Sequence, residues 1–258
     1  MSTATVPLGT LLRDWRQRRR LSQLDLALEA GVSARHLSFL ETGRSRPSRE
    51  MVLHLSEQLD VPLRERNRLL LAAGFAPAFE ERPIDAPEMA PVRDALDRVL
   101  TGHEPYPAVV VDRWWNLAAA NRTIATFTAD VPAELMEPPV NVLRVSLHPD
   151  GMASRILNYG EWRAHLLDRL RRQVAVTADD RLAALYDEVS AYPGETAEVP
   201  GPGGEIAVPL RFDAGGRELA FFSTVATFGT AVDITLAELA IEAFFPADEA
   251  TSAYLRGN

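Results

Sequence analysis

The chain has 258 residues, room for two modest domains or one large one, and its 47% hydrophobic and 24% charged residues exclude wholesale disorder. It has no cysteine, which excludes disulfide frameworks, thiolate metal sites and cysteine nucleophiles. No apolar run reaches the ~18–20 residues that span a bilayer, and Met1 to Pro7 lacks the apolar segment of a signal peptide, so a cytoplasmic protein with no membrane partner is expected. The net charge of −9 is unevenly spread. Residues 1–80 hold 12 Arg against 9 acids, while the remainder holds 15 Arg against 27 acids. A basic head on an acidic body points to a polyanionic partner for the head.

Residues 8–75 predict helices joined by short turns. Leu8, Leu11, Leu12 and Trp15 form one apolar stripe, and Arg16 with Arg18 to Arg20 closes that helix on the charge its C-terminal dipole favours. Ser22 and Asp25 have capping-box spacing for a second helix, which Gly31 stops. Ser33 caps a third helix, ended by Gly43; Ser48 caps a fourth, with Met51, Leu55 and Leu59 inward. Asp60-Val61-Pro62 restarts the chain into a fifth, ending at Gly74. Residues 77–92 contain Pro77, Pro83, Pro87 and Pro91 and are expected as a linker between domains at 1–76 and 93–258.

The second half mixes both kinds of structure. Strands are expected over Tyr106–Val111, Asn116–Ala119, Glu205–Phe212, Glu218–Phe228 and Ala231–Thr235. Helices are expected over Asn121–Phe127, Trp162–Val174 and Asp180–Ser190, a loop over Pro193–Gly204, and a helical or extended segment over Ala237–Phe245. The pattern is α+β with a largely antiparallel sheet.

The stretch from Ser22 to Gly43 carries the functional signal. Two helices that cross at a tight turn need a small residue where they meet, supplied by Ala27, and a residue tolerant of positive φ, supplied by Gly31. Leu37 and Leu40 turn one face of the second helix inward, which leaves Ser33, Ala34, Arg35, His36, Ser38 and Phe39 as candidates to meet DNA in the major groove. Arg35 suits a guanine edge, Ala34 and Phe39 a thymine methyl, and Ser38 or His36 a base edge or phosphate. Gln23, at a helix N-terminus, and Arg44 and Arg46, just past the second helix, suit backbone phosphates.

Taken together, Ser22-Gln23, Ala27, Gly31-Val32-Ser33, Leu37, Leu40, Glu41, Gly43 and Pro47 resemble the XRE/Cro-CI-type helix-turn-helix family over roughly residues 8–75. In the second half, Pro107 to Asn121, Asn141-Val142-Leu143-Arg144, Leu147-His148-Pro149-Asp150-Gly151 and Phe222-Ser223-Thr224 are similar to the PAS-like ligand-binding domain of MmyB-like regulators. The resemblance implies a mainly α, five-helix headpiece followed by an α+β PAS-like domain. It also implies a pocket for a small apolar, fatty-acid-like ligand, with no other cofactor. Pocket candidates are Trp115, Phe127, Val142, Leu147, Trp162, Leu166, Phe222, Thr224 and Phe228, with Arg144 or His148 to hold a carboxylate.

His148, Asp150, His165 and Asp168 match no standard metal spacing. No phosphate loop or nucleophile elbow is present. The expectation is a non-enzymatic, ligand-responsive transcription regulator, homodimeric on a double-stranded DNA operator. The rivals are a C-terminal domain that serves as a protein-partner or dimerisation module, and an enzyme with a helical assembly headpiece.

Overall fold

The computed structural model describes residues 6–195, 197 and 208–257. Contacts divide the chain into two compact units. The first runs to Arg82 and takes in Thr230–Ala237; the second holds Pro83–Gly229 and Glu238 onward.

Five helices build the N-terminal part of the first unit: α1 (Leu8–Arg18), α2 (Gln23–Glu29), α3 (Ala34–Glu41), α4 (Arg49–Gln58) and α5 (Leu63–Ala72). Three serine caps act where the sequence places them. The Ser22, Ser33 and Ser48 hydroxyls accept the backbone N–H of Asp25, His36 and Met51, contacts of about 1 kcal/mol each. Asp25 returns the favour by accepting the Ser22 N–H at 2.9 Å, which completes the capping box. Positive φ at Gly31 and Gly43 ends the two middle helices. The apolar stripes converge on one core that includes Leu12, Trp15, Leu26, Leu37, Leu40 and Leu55.

The segment expected as a linker, 77–92, is divided by the structure. The Asn67 side chain accepts the N–H groups of Ala78 and Phe79 and donates to the Phe79 carbonyl at 2.7 Å, tying that stretch to α5. From Pro87 the chain is already helical. The strand expected over Ala231–Thr235 does not form. Asp233 is buried, receives Arg82 at 2.9 Å and accepts the Thr235 N–H at 2.9 Å, which caps a short helix, Ile234–Ala237. The buried Ile234 donates its N–H to the Glu80 carbonyl. A capping aspartate with a cationic partner outcompetes the β-propensity of the run.

The second unit opens with α6 (Ala90–His103) and a hairpin, β1 (Ala108–Val111) and β2 (Leu117–Ala120). The helices α7 (Ala125–Thr128), α8 (Val142–Leu147), α9 (Tyr159–Thr177) and α10 (Asp180–Ser190) follow. Then come β3 (Leu210–Asp213), β4 (Glu218–Thr227), β5 (Ala240–Pro246) and a C-terminal helix, Glu249–Arg256. The sheet order is β2-β1-β5-β4-β3, antiparallel throughout, so the unit is α+β as expected. The ambiguous 237–245 run resolves as extended β5, whose Ile, Glu and Phe residues alternate between two faces. Part of the expected Pro193–Gly204 loop and the start of the expected Glu205 strand lie outside the described residues. No described helix is long and apolar enough to cross a membrane.

One close approach fixes α1 against the end of α3. A Cβ on Gly9 would sit 2.4 Å from the Glu41 carbonyl oxygen and 2.7 Å from that of Leu40. Both are backbone atoms, so the helices themselves would have to part. Gly9→Ala is expected to destabilise this unit by about 1–3 kcal/mol, despite the better helix propensity of alanine, read as a lower thermal midpoint.

Candidate nucleic-acid interface and ligand cavity

The turn between α2 and α3 has the geometry its sequence requires. Ala27 is buried at the crossing, and the Val32 N–H reaches the Ala27 carbonyl at 2.9 Å, around Gly31 at φ +63°. Leu37 and Leu40 are buried, while Arg35 is exposed and Ala34, His36, Ser38 and Phe39 are half-buried. The Arg35 guanidinium lies 5.3 Å from the Phe39 ring centroid and that of Arg44 lies 6.0 Å away. Phe39 therefore props two cations along the same edge of α3. Among the described residues, Arg35, Arg44 and Arg46 have no carboxylate partner, so their charge is available to an external anion.

Glu41 ends α3 with its side chain wholly buried. Arg16 grips it through two bonds of 2.6 and 2.9 Å, Gln23 donates to it at 2.8 Å, and Arg13 approaches to 3.5 Å. One carboxylate thus joins α1, α2 and α3. Burial pushes the Glu41 carboxyl up, but the hydrogen bonds from Arg16 and Gln23, with the Arg16 and Arg13 charges, together outweigh it and hold the group below its ordinary value of 4.5. The Gln23 amide, expected on a phosphate, is turned inward to Glu41, leaving its backbone N–H as the group at the α2 N-terminus. Ser33 likewise spends its hydroxyl as the α3 cap.

The second unit contains a cavity of about 90 Å³, well above the ~10–15 Å³ that holds one water. The sheet contributes Val109, Leu117, Leu210 and Phe244; the helices contribute Phe127, Val142, Trp162 and Leu166; Trp115 closes the hairpin side. Phe127 stands edge-on to Phe212, Phe221 and Phe244 at 5.1–5.2 Å, a ring cluster that holds the wall rigid. Trp115 adopts φ +68°, a conformation costly for a side-chain-bearing residue. Asp112 accepts the N–H groups of Trp114 and Asn116 on either side of it. The indole donates to Gln173 at 2.8 Å, and Arg169 lies 4.3 Å from its centroid. The chain is thus strained to aim an indole at the cavity.

Of the candidate pocket residues, Trp115, Phe127, Val142, Trp162 and Leu166 line this space together. The others lie elsewhere. Phe222 and Thr224 alternate with Phe221 along β4 and lie on the opposite face, where Phe222 is exposed and stacks on Phe245 at 5.3 Å. Phe228 follows the end of β4. Leu147 is fully buried in the core without reaching the cavity. Arg144 is held by Glu188 through two bonds of 2.7 and 2.8 Å, and His148 packs edge-on to Tyr192, so neither offers the cavity a cation. Burial of Tyr192 and its bond to Glu188 push its phenol up to about 12, which keeps it neutral beside them.

Comparison with protein families accounts for both units. A profile for the MmyB-like transcription regulator ligand binding domain matches residues 92–257, and a helix-turn-helix profile matches residues 12–66. The chain belongs to the MmyB-like transcription regulators. No curated protein matches it. The MmyB-like regulator is therefore a DNA-binding transcription regulator of XRE type with a ligand-binding domain.

Sequence reasoning about this MmyB-like regulator missed Glu242. It lies on β5 within the cavity wall, 5% exposed, with Arg169 at 3.2 Å from each carboxylate oxygen. The sequence signal was available: a lone acid inside the apolar run Ala240-Ile241-Glu242-Ala243-Phe244. Beside it, burial and the Arg169 charge hold the His165 imidazole below its ordinary range, so it is neutral at pH 7.

The Glu41 network sets an acid limit for the headpiece. A folded-state value below the unfolded one contributes stability that is fully present above pH 4.5 and is lost as pH falls through the folded value. Glu41→Ala strands Arg16 and is expected to cost about 3–5 kcal/mol at pH 7. Its denaturation midpoint should also lose the part of the wild-type acid dependence that Glu41 causes, as read by urea titrations from pH 7 to pH 3.

Proposed function

We propose that this regulator binds a specific operator as a homodimer through the exposed edge of α3, and that a small apolar ligand in the second unit changes its affinity for that operator. The single observation that supports the DNA part is Phe39 flanked by Arg35 and Arg44 on a recognition helix whose other face is locked by Glu41. Arg35 reads base edges, and Arg44 and Arg46 hold phosphates. Ala34, His36, Ser38 and Phe39 supply shape and apolar contact, with the Gln23 and Ser33 ends of α2 and α3 toward the backbone.

The apolar cavity supports the ligand part. Its lining fits the hydrocarbon portion of a fatty-acid-like molecule, whereas Arg144 and His148, the cations expected to meet a carboxylate, lie outside it. Both matched domains belong to regulators, which supports a non-catalytic protein acting in the cytoplasm. Dimerisation follows from scale, since one short recognition helix reads few base pairs and two half-sites multiply affinity. The exposed Phe222 stacked on Phe245 supports it, as apolar sheet surface open to water favours a partner.

Selection from random duplexes should return a two-half-site operator. On it, Arg35→Ala is expected to cost about 1–3 kcal/mol and relax preference at one base pair per half-site. Arg44→Ala should weaken all sequences alike and lower the slope of log affinity against log salt by about one per subunit. If the two variants behave identically, the docking of α3 is wrong. If operator affinity is unchanged by every compound that binds the second unit, ligand control fails.

A further inference from the structure

We propose, building on the ligand-cavity reading, that the ligand presents a hydrogen-bond donor head, an ammonium or hydroxyl, to Glu242, and that the cavity rejects carboxylates. Glu242 is central in the sheet. In register it pairs with the buried Val109 on β1 and with Val225 on β4, which is exposed, while Glu242 itself is 5% exposed and lines the cavity. A buried strand position of this kind ordinarily holds an apolar side chain. A carboxylate there costs desolvation that one ion pair does not reliably repay, so the fold alone does not account for it.

Its bonding also leaves room. An ionised carboxylate has about four acceptor sites, and among the described residues the donor on Glu242 is a single nitrogen, Nη1 of Arg169, at 3.2 Å from both oxygens. Arg169 lies to one side, over Trp115, and is not part of the lining, whereas Glu242 is. The other wall polar groups are weak. Ser146 Oγ accepts the Trp162 indole N–H at 3.2 Å, and Thr128 lies beside Phe127 on α7. A ligand therefore meets an anion with spare acceptor capacity, set in an apolar wall. A donor gains a charge-assisted bond there. A second carboxylate would place two like charges together in a low-dielectric wall, an arrangement in which both cannot stay ionised.

The test uses the full-length protein and three probes with the same chain: n-octylamine, 1-octanol and octanoate. Binding is read by calorimetry and by tryptophan fluorescence, to which Trp115 and Trp162 of the cavity wall contribute. Octylamine and octanoate carry one charge each, so an indifferent apolar cavity penalises both. The expected result is octylamine bound at least tenfold tighter than octanoate, with octanol also ahead of octanoate. Glu242→Gln should weaken octylamine at least tenfold and bring the two charged probes within about threefold. Octanoate bound as tightly as octylamine by the wild-type protein would overturn the head-group assignment while leaving the cavity as a ligand site. The wild-type comparison decides this even where the variant does not fold. Binding of none of the three would instead overturn the ligand-cavity reading itself, and an unchanged ratio in a folded Glu242→Gln would remove Glu242 from the explanation.

Discussion

The headpiece depends on one buried carboxylate. Glu41 closes the recognition helix, and its two oxygens are shared by Arg16 of α1 and Gln23 of α2. A bidentate guanidinium fixes angle as well as distance, so α3 cannot roll about its axis without breaking both bonds. The outward direction of Arg35 and Phe39 follows from that constraint, because Leu37, Leu40 and Glu41 hold the inward side of the same short helix. Gly9 belongs to the same device: only a residue without Cβ lets α1 come close enough to the last turn of α3 for Arg16 to reach.

The cavity is built on the opposite arrangement of charge. There a carboxylate is present without such saturation. Among the described residues Glu41 has three partners, which hold its carboxyl below its ordinary value; Glu242 has one, Arg169, at longer distance, amid Val109, Trp115 and Phe244. A fully bonded acid has its acceptor sites spent on the fold, whereas a partly bonded one keeps some of them spare. The strained Trp115 backbone, the Phe127 ring cluster and the Trp162 indole on Ser146 all stiffen the walls around that acid, and preorganisation is what makes a small site selective.

Much of this was legible in the residues. The head follows from local rules, namely serine caps, glycine stops and 3.6-residue stripes, and each of these acts within a few residues of itself. The second unit was legible as to class and to five wall residues, because strand alternation and aromatic content carry that information. Sheet facing was not. Phe222 and Thr224 sit one residue out of phase with the buried side of β4, and a one-residue shift sends every side chain to the other face. Arg144 could not be placed because its partner Glu188 is 44 residues away, on another helix. The 231–235 run misled because Asp233 finds Arg82, 151 residues earlier, and that long-range pair favours a cap over a strand.

That long-range pair also bears on how the chain is wired. The segment that Arg82 and Glu80 hold, Thr230–Ala237, is the covalent link between β4 and β5. β5 begins at Ala240, three residues beyond that segment, and reaches Glu242 two residues later. Coupling between a ligand and a DNA-binding unit requires an element with different free energy in the two states. Glu242 lies five residues along the chain from the end of that segment. Asp233 is the joint of this link, since the same side chain caps the Ile234–Ala237 helix and receives Arg82. Removing that carboxylate would free both ends of the link at once, whereas removing Arg82 would leave the cap in place.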